Sequence, residues 1–154
     1  MYSEEQISEA VAALNSKARR ALHIVSLLQA VKRSPAVGRV VSKALVPILE
    51  DALPGCRVDV YVRDYRPDRP RVLYASWADG GEYKRLDVEV ATKNAPRLTA
   101  EALDKHIEYY RQLAAGYLKA AESLPTNAGI LNQAEPYLAP IRFAVEQALY
   151  QAKY

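Results

Sequence analysis

The sequence predicts an α+β protein: a basic N-terminal helical hairpin, a three-stranded antiparallel β-meander and two C-terminal helices. Three observations carry that prediction. Apolar residues recur at alternating spacings of four and three through the first helix, the spacing drops to two between residues 57 and 91, and the helical period returns after residue 99. A three-stranded sheet cannot bury its apolar face alone, and the flanking helices supply the cover.

Ser3 and Gln6 have the spacing of a capping box, and Ile7, Val11, Leu14, Ala18, Ala21, Val25 and Leu28 form the stripe that follows. The predicted helix has about 28 residues and a length of roughly 40 Å. Ser34-Pro35 restarts a second helix, with Ser as cap and Pro in the first turn, that runs to about Leu53. Val37, Val41, Ala44 and Ile48 lie on one side of it and Arg39 and Lys43 on the other. Pro47 kinks it or ends its regular part, and Pro54-Gly55 stops it. Val58, Val60 and Val62 then alternate with Arg57, Asp59, Tyr61 and Arg63, the pattern of a strand with one buried face. Residues 66–70 make a turn and Val72 to Trp77 a second strand. Asp79-Gly80-Gly81 makes another turn, and Leu86, Val88 and Val90 are the inward set of a third strand. Thr99 caps a helix with the stripe Leu103, Ile107, Tyr110, Ala114, Tyr117, Ala121 and Leu124, which Leu124-Pro125-Thr126-Asn127 breaks. A final helix starts near Glu135-Pro136 and presents Leu138, Ile141, Val145, Ala148 and Ala152, with Pro140 close enough to its start to be tolerated.

Half of the 154 residues are apolar and a quarter charged, so the chain has material for a hydrophobic core and is not disordered as a whole. The single cysteine, Cys56, allows no internal disulfide, and the start lacks the basic and apolar regions of a signal peptide. No apolar run reaches the roughly 18 residues that cross a bilayer. The expectation is an intracellular or virion protein with no membrane partner and no cofactor or metal.

The net charge of +3 is unevenly placed: residues 10–49 hold seven cations, Lys17, Arg19, Arg20, Lys32, Arg33, Arg39 and Lys43, and no acid. Arg19, Arg20 and His23 fall opposite the first helix's apolar stripe. A cationic face of that kind tracks a phosphate backbone through counterion release and reads no sequence. The same residues also serve simply to solvate the outer face of two amphipathic helices. The stripe Ile7, Val11, Leu14, Val25 and Leu28 is the expected self-association surface of a homo- or hetero-oligomer, in which weak phosphate contacts add by avidity.

A basic helical arm, residues 1–54, acid-free from residue 10 to 49 and joined to an α+β body, residues 55–154, or continuous with it, resembles the major coat proteins of filamentous archaeal DNA viruses. That resemblance covers Ser3 to Leu53 and implies an arm that wraps double-stranded DNA and a body that forms the outside of the virion. The meander departs from the mostly helical bodies of those proteins. The order helix, three strands, helix is also similar to the core of PD-(D/E)xK nucleases, with Pro67-Asp68 followed by Glu82-Tyr83-Lys84. In that family the carboxylates hold a divalent metal and the Lys orients the attacking water. Here both acids sit in turns, and Asp87-Val88-Glu89 lacks the following Lys. Double-stranded-RNA-binding domains share the order too, but need a Lys-rich turn where this chain has Thr99-Ala100-Glu101-Ala102.

Cys56, His23 and His106 have no nucleophile or metal-ligand spacing, and the six glycines form neither a P-loop nor a dinucleotide fingerprint. Tyr is a good strand residue and the sheet tyrosines read first as structural, with Tyr61, Arg63, Tyr83 and Arg85 the best exposed candidates for stacking on bases or on a protein. The expected function is therefore a non-enzymatic, oligomeric nucleic-acid-binding structural protein, most concretely a DNA-coating subunit. The alternatives are a small protein-interaction module and a metal-dependent nuclease, active or decayed.

Overall fold

A computed structural model describes residues 2–133 and 139–154. The architecture is α+β. Helix α1 (Glu4–Lys32) is followed by a 3-10 turn (Lys43–Leu45) and the short α2 (Val46–Ala52). Strands β1 (Arg57–Val62), β2 (Arg71–Asp79) and β3 (Glu82–Ala91) come next, then α3 (Ala100–Gln133) and α4 (Ala139–Lys153). The strands form one antiparallel meander in the order β1-β2-β3. The expected start of the last helix at Glu135-Pro136, and Leu138 in its stripe, lie outside the described residues.

The chain divides into two compact units, residues 1–23 with 110–154 and residues 24–109, and not at residue 54. The first unit is helical. Ile7, Ala10 and Leu14 of α1 pack with Ala121, Leu124, Ala128 and Leu131 of α3 and with Val145 and Ala148 of α4. Ser3 begins α1 as its sequence signature indicates, its Oγ accepting a hydrogen bond from the Gln6 amide at 3.0 Å. Pro125 does not break α3, which runs through it to Gln133. The missing amide costs about 3 kcal/mol. Leu124, Ala128 and Leu131, all buried on the packed side, offset it, while Pro125 itself is exposed.

The second unit holds the sheet. Val58, Val60, Leu73, Ala75, Leu86, Val88 and Val90 are buried as the two-residue period requires, whereas Val62 at the end of β1 is exposed. Gly80 and Gly81, both at positive φ, close the β2–β3 hairpin with the backbone twist of a type I′ turn. Thr99 Oγ1 accepts the Ala102 amide at 3.1 Å and starts α3.

The second helix of the expected hairpin is the main correction. Residues 33–42 are not helical: Gly38 has φ of 90°, and the backbone of 38–41 pairs with 96–98 instead. The Gly38 amide donates to Leu98 O at 2.7 Å, the Leu98 amide to Arg39 O at 2.8 Å and the Val41 amide to Pro96 O at 2.8 Å. What remains of the helix begins at residue 43, and Pro47 sits in the first turn of α2, where its lack of an amide is harmless.

The stripe expected to join subunits is also used differently. Ile7, Leu14, Val25 and Leu28 are buried within the chain itself, and Val11 is half-buried against the helical core. Ile24 and Leu27, which lie off that stripe, are buried too. Among the described residues no helix is long and apolar enough to cross a membrane.

Because Leu14 fills its own unit's core, Leu14→Ala should lower unfolding stability by about 2–5 kcal/mol. Urea denaturation checks this, and the reduction should be the same at every protein concentration, which a stripe buried between subunits would not give.

Candidate nucleic-acid interface

Three loops meet at the end of the sheet where β1 stops and β2 starts. The loop of residues 63–70 is held by the Arg63 amide on Pro70 O at 2.9 Å and the Arg69 amide on Arg66 O at 3.0 Å. Arg69 adopts a left-handed backbone, φ 42°, which costs an L-residue about 1–2 kcal/mol. The Lys93 amide donates to Asp68 O at 3.0 Å and joins this loop to the segment after β3. Arg71 donates from a guanidinium nitrogen to Val41 O at 2.9 Å, and Arg97 to Gly38 O at 2.8 Å, which attaches the segment after α1.

These loops concentrate positive charge. Arg63 and Arg66 share the Glu89 carboxylate, at 2.6 and 2.9 Å, and Arg66 also lies 3.6 Å from Asp68. Arg39, Arg69, Arg71, Lys93 and Arg97 make no ion pair among the described residues. The bonds that Arg39, Arg71 and Arg97 make go to neutral backbone carbonyls, Arg39 to Pro35 O at 3.0 Å, so their charge stands uncompensated. All but the half-buried Arg71 are exposed, and Tyr65 in the same loop is 80% exposed. An open aromatic ring beside unpaired cations can take a nucleic-acid base on its face and phosphates around it.

Of the seven cations predicted from the sequence, Lys17, Arg19 and Arg20 belong to the helical unit and Lys32, Arg33, Arg39 and Lys43 to the β-sheet unit. Lys17 is half-buried, donates to the Gln151 carbonyl and lies 5.9 Å above the Tyr117 ring; burial, and then the charge of Arg20, lower its pKa. Lys32 pairs with Asp104 at 2.7 Å and Lys43 with Asp59 at 2.6 Å. Arg19, Arg20 and Arg33 are exposed; the first two belong to the helical unit, and Arg33 follows the last turn of α1 in the other. Only Arg39 of the seven enters the cluster. Arg69, Lys93 and Arg97 escape a sequence reading because each is isolated in sequence or sits in a turn. The available signal is four Arg in the nine residues 63–71.

The open sheet face is largely self-satisfied. Tyr61 donates its hydroxyl to Asp87 at 2.8 Å, and burial, followed by that bond, raises its pKa. The Arg63 guanidinium lies 6.0 Å from the Tyr61 ring, and Arg85 lies 3.6 Å from Asp87. Tyr83 alone of the four predicted stacking residues projects freely into solvent, at the opposite end of the sheet from Tyr65.

The nuclease constellation is not assembled. Asp68 precedes β2 while Glu82 pairs with Asp79 at its far end, about 27 Å away for a nine-residue strand. Lys84 is ion-paired with Glu82 at 2.9 Å. Among the described residues no three His, Cys, Asp or Glu side chains are grouped to hold a metal ion. Burial raises the pKa of the Cys56 thiol, which keeps it protonated and weakly nucleophilic at neutral pH. His106 Nε2 donates to Glu89 O at 2.7 Å and fastens α3 to β3. No protein-family model, curated protein or solved structure matches this chain.

The Lys43 contact holds the Asp59 carboxyl below its ordinary value of 3.8, with the Val60 amide as the second cause. A depressed carboxylate contributes stability above its unfolded pKa and loses it as pH falls through the folded one. Lys43→Ala should therefore raise the Asp59 pKa toward 3.8 in an NMR titration.

Proposed function

We propose that the protein binds nucleic acid without reading its sequence, through the cationic end of the sheet, as a non-enzymatic structural component. The observation that carries this reading is the group of five cations, Arg39, Arg69, Arg71, Lys93 and Arg97, brought from three separate segments to one place with no carboxylate partner. Natural surfaces usually intersperse opposite charges, so uncompensated clustering is the electrostatic footprint of a polyanion partner. A subunit that coats double-stranded DNA, as in a virion, is the most concrete version of this role. It requires many copies along one polymer and does not require an extended arm, which fits an α1 stripe buried in its own chain.

Binding of the protein to labelled double-stranded DNA across a salt series tests the reading. Affinity should fall with salt, and in Arg39→Ala/Arg69→Ala/Lys93→Ala the log–log slope should become shallower by about 2–3, at about 0.9 for each phosphate that is no longer neutralised. Lys32→Ala and Lys43→Ala, which remove cations already paired, should leave the slope nearly unchanged. No binding at low salt overturns the reading in favour of a module whose basic face meets an acidic protein.

Tyr65→Ala separates strand types. A stacking role predicts a binding deficit of about 1–3 kcal/mol on single strands with little change on duplex.

A further inference from the structure

We infer that the protein self-associates through α4, which pairs antiparallel with α4 of a second copy. One side of α4 faces its own core through Val145 and Ala148. The other side carries Phe143, Tyr150 and Tyr154, which are 62, 63 and 74% exposed, and Phe143 is the chain's only phenylalanine. With Gln147 they are spaced four, three and four apart, which sets them within an arc of about 60° at 100° per residue, the geometry of a two-helix seam. The burial of Val145 and Ala148 on the opposite side shows that the seam is an addition to the helix's core-facing stripe and not a part of it.

The surface has the form of a socket as well as a stripe. Phe143, Glu146, Gln147 and Tyr150 frame an open depression of about 260 Å³. Residues at i, i+3, i+4 and i+7 are the four that receive one side chain of a facing helix. Turning the seam about its midpoint, between residues 148 and 149, sets Phe143 against the partner's Tyr154 and Gln147 against the partner's Tyr150. The partner's Tyr150 is then the side chain that enters the depression, and the two-fold repeats the contact.

Charge selects the direction. Glu146 and Lys153 lie on the same flank of the seam, and Ala144 and Gln151 on the other. In an antiparallel pair like flanks meet, so Glu146 comes beside the partner's Lys153, twice per dimer. In a parallel pair both charges face the uncharged flank and gain nothing. The end of the seam is already ordered, with the Tyr150 and Tyr154 rings 4.9 Å apart and Lys153 Nζ 5.3 Å from the Tyr154 ring.

Area sets the strength. At these exposures three aromatics of 150–250 Å² each remove about 400 Å² per copy, or about 800 Å² in the pair. That is below the roughly 1,200 Å² of a standard stable interface, so the dimer is weak and forms with rising concentration.

Sedimentation velocity of the full chain over a concentration series tests this. The expected result is monomer at low and dimer at high concentration, with Tyr150→Ala moving the midpoint upward at least tenfold. Glu146→Lys alone should weaken the dimer, and Glu146→Lys with Lys153→Glu should restore it. Thermal unfolding of each variant controls for folding, and if Tyr150→Ala is impaired the charge exchange decides alone. A chain that stays monomeric throughout, or a dimer unmoved by these substitutions, overturns the inference.

Discussion

The pairing of residues 38–41 with 96–98 is the constraint on which the cationic end of the β-sheet unit depends. Three backbone hydrogen bonds of 2.7–2.8 Å divert the chain after α1 from helix to an extended path, and Gly38 makes that path possible because its positive φ carries no side-chain penalty. The same pairing fixes Arg39 beside Arg97 and delivers Val41 O to Arg71. Without it the cations of three loops would have no common location. Like charges brought together repel one another, so this backbone framework, together with the guanidinium bonds to Val41 O and Gly38 O, must offset the electrostatic cost of the cluster.

Local rules prove readable where local chemistry decides the outcome. The two-residue alternation at Val58 and Val60 and from Leu86 to Val90, the Gly80-Gly81 turn and the Ser3 and Thr99 caps each depend on a few neighbouring residues, and the structure has them where the sequence places them, whereas β2 is buried at Val72 and Ser76 as well as at Leu73, Ala75 and Trp77. The segment 33–42 misleads because Val37 and Val41 continue the helical period of Ala44 and Ile48, although only the latter two enter a helical turn. Its true partner lies more than fifty residues away and leaves no mark in the local pattern. Pro125 shows the same limit in reverse: a strong local breaker is overruled by the burial of Leu124, Ala128 and Leu131 around it. On the site side, Arg39 is legible, whereas Lys93 and Arg97 are not, because only tertiary contacts assign them to the cluster.

The acid-free run from residue 10 to 49 illustrates why linear charge is an unreliable map of surface potential. Its Lys32 and Lys43 find carboxylates at Asp104 and Asp59, 72 and 16 residues away in sequence. Exposed pairs of this type contribute about 0–1 kcal/mol to stability, so they do little for the fold. Their effect on the field is larger in proportion, since a carboxylate under 3 Å away cancels most of the cation's reach within one Debye length. The loop of residues 63–71 behaves differently. Its Arg63 and Arg66 are balanced by the carboxylates of Glu89 and Asp68, whereas Arg69 and Arg71 in the same loop have no carboxylate partner among the described residues and keep it cationic.

Five phosphate contacts give a salt slope of about 4.5, which means that a fourfold rise in salt weakens binding by roughly 10²–10³. Under the proposed function, a single copy would therefore lose most of its dilute-buffer affinity at physiological ionic strength. A nucleic acid offers many equivalent sites along its length, and a second copy held through the proposed α4 pairing would convert the next contact into an intramolecular one with a high effective concentration. The α4 pairing does not itself have to be strong for this to matter, because the polymer supplies the local concentration that the pairing needs and the pairing supplies the second set of cations. The two proposed interactions, one electrostatic and one aromatic, would then be linked thermodynamically: salt that loosens the cations from phosphate would also disperse the copies, and substitutions on the aromatic face of α4 should reduce affinity for a long polymer more than for a short one.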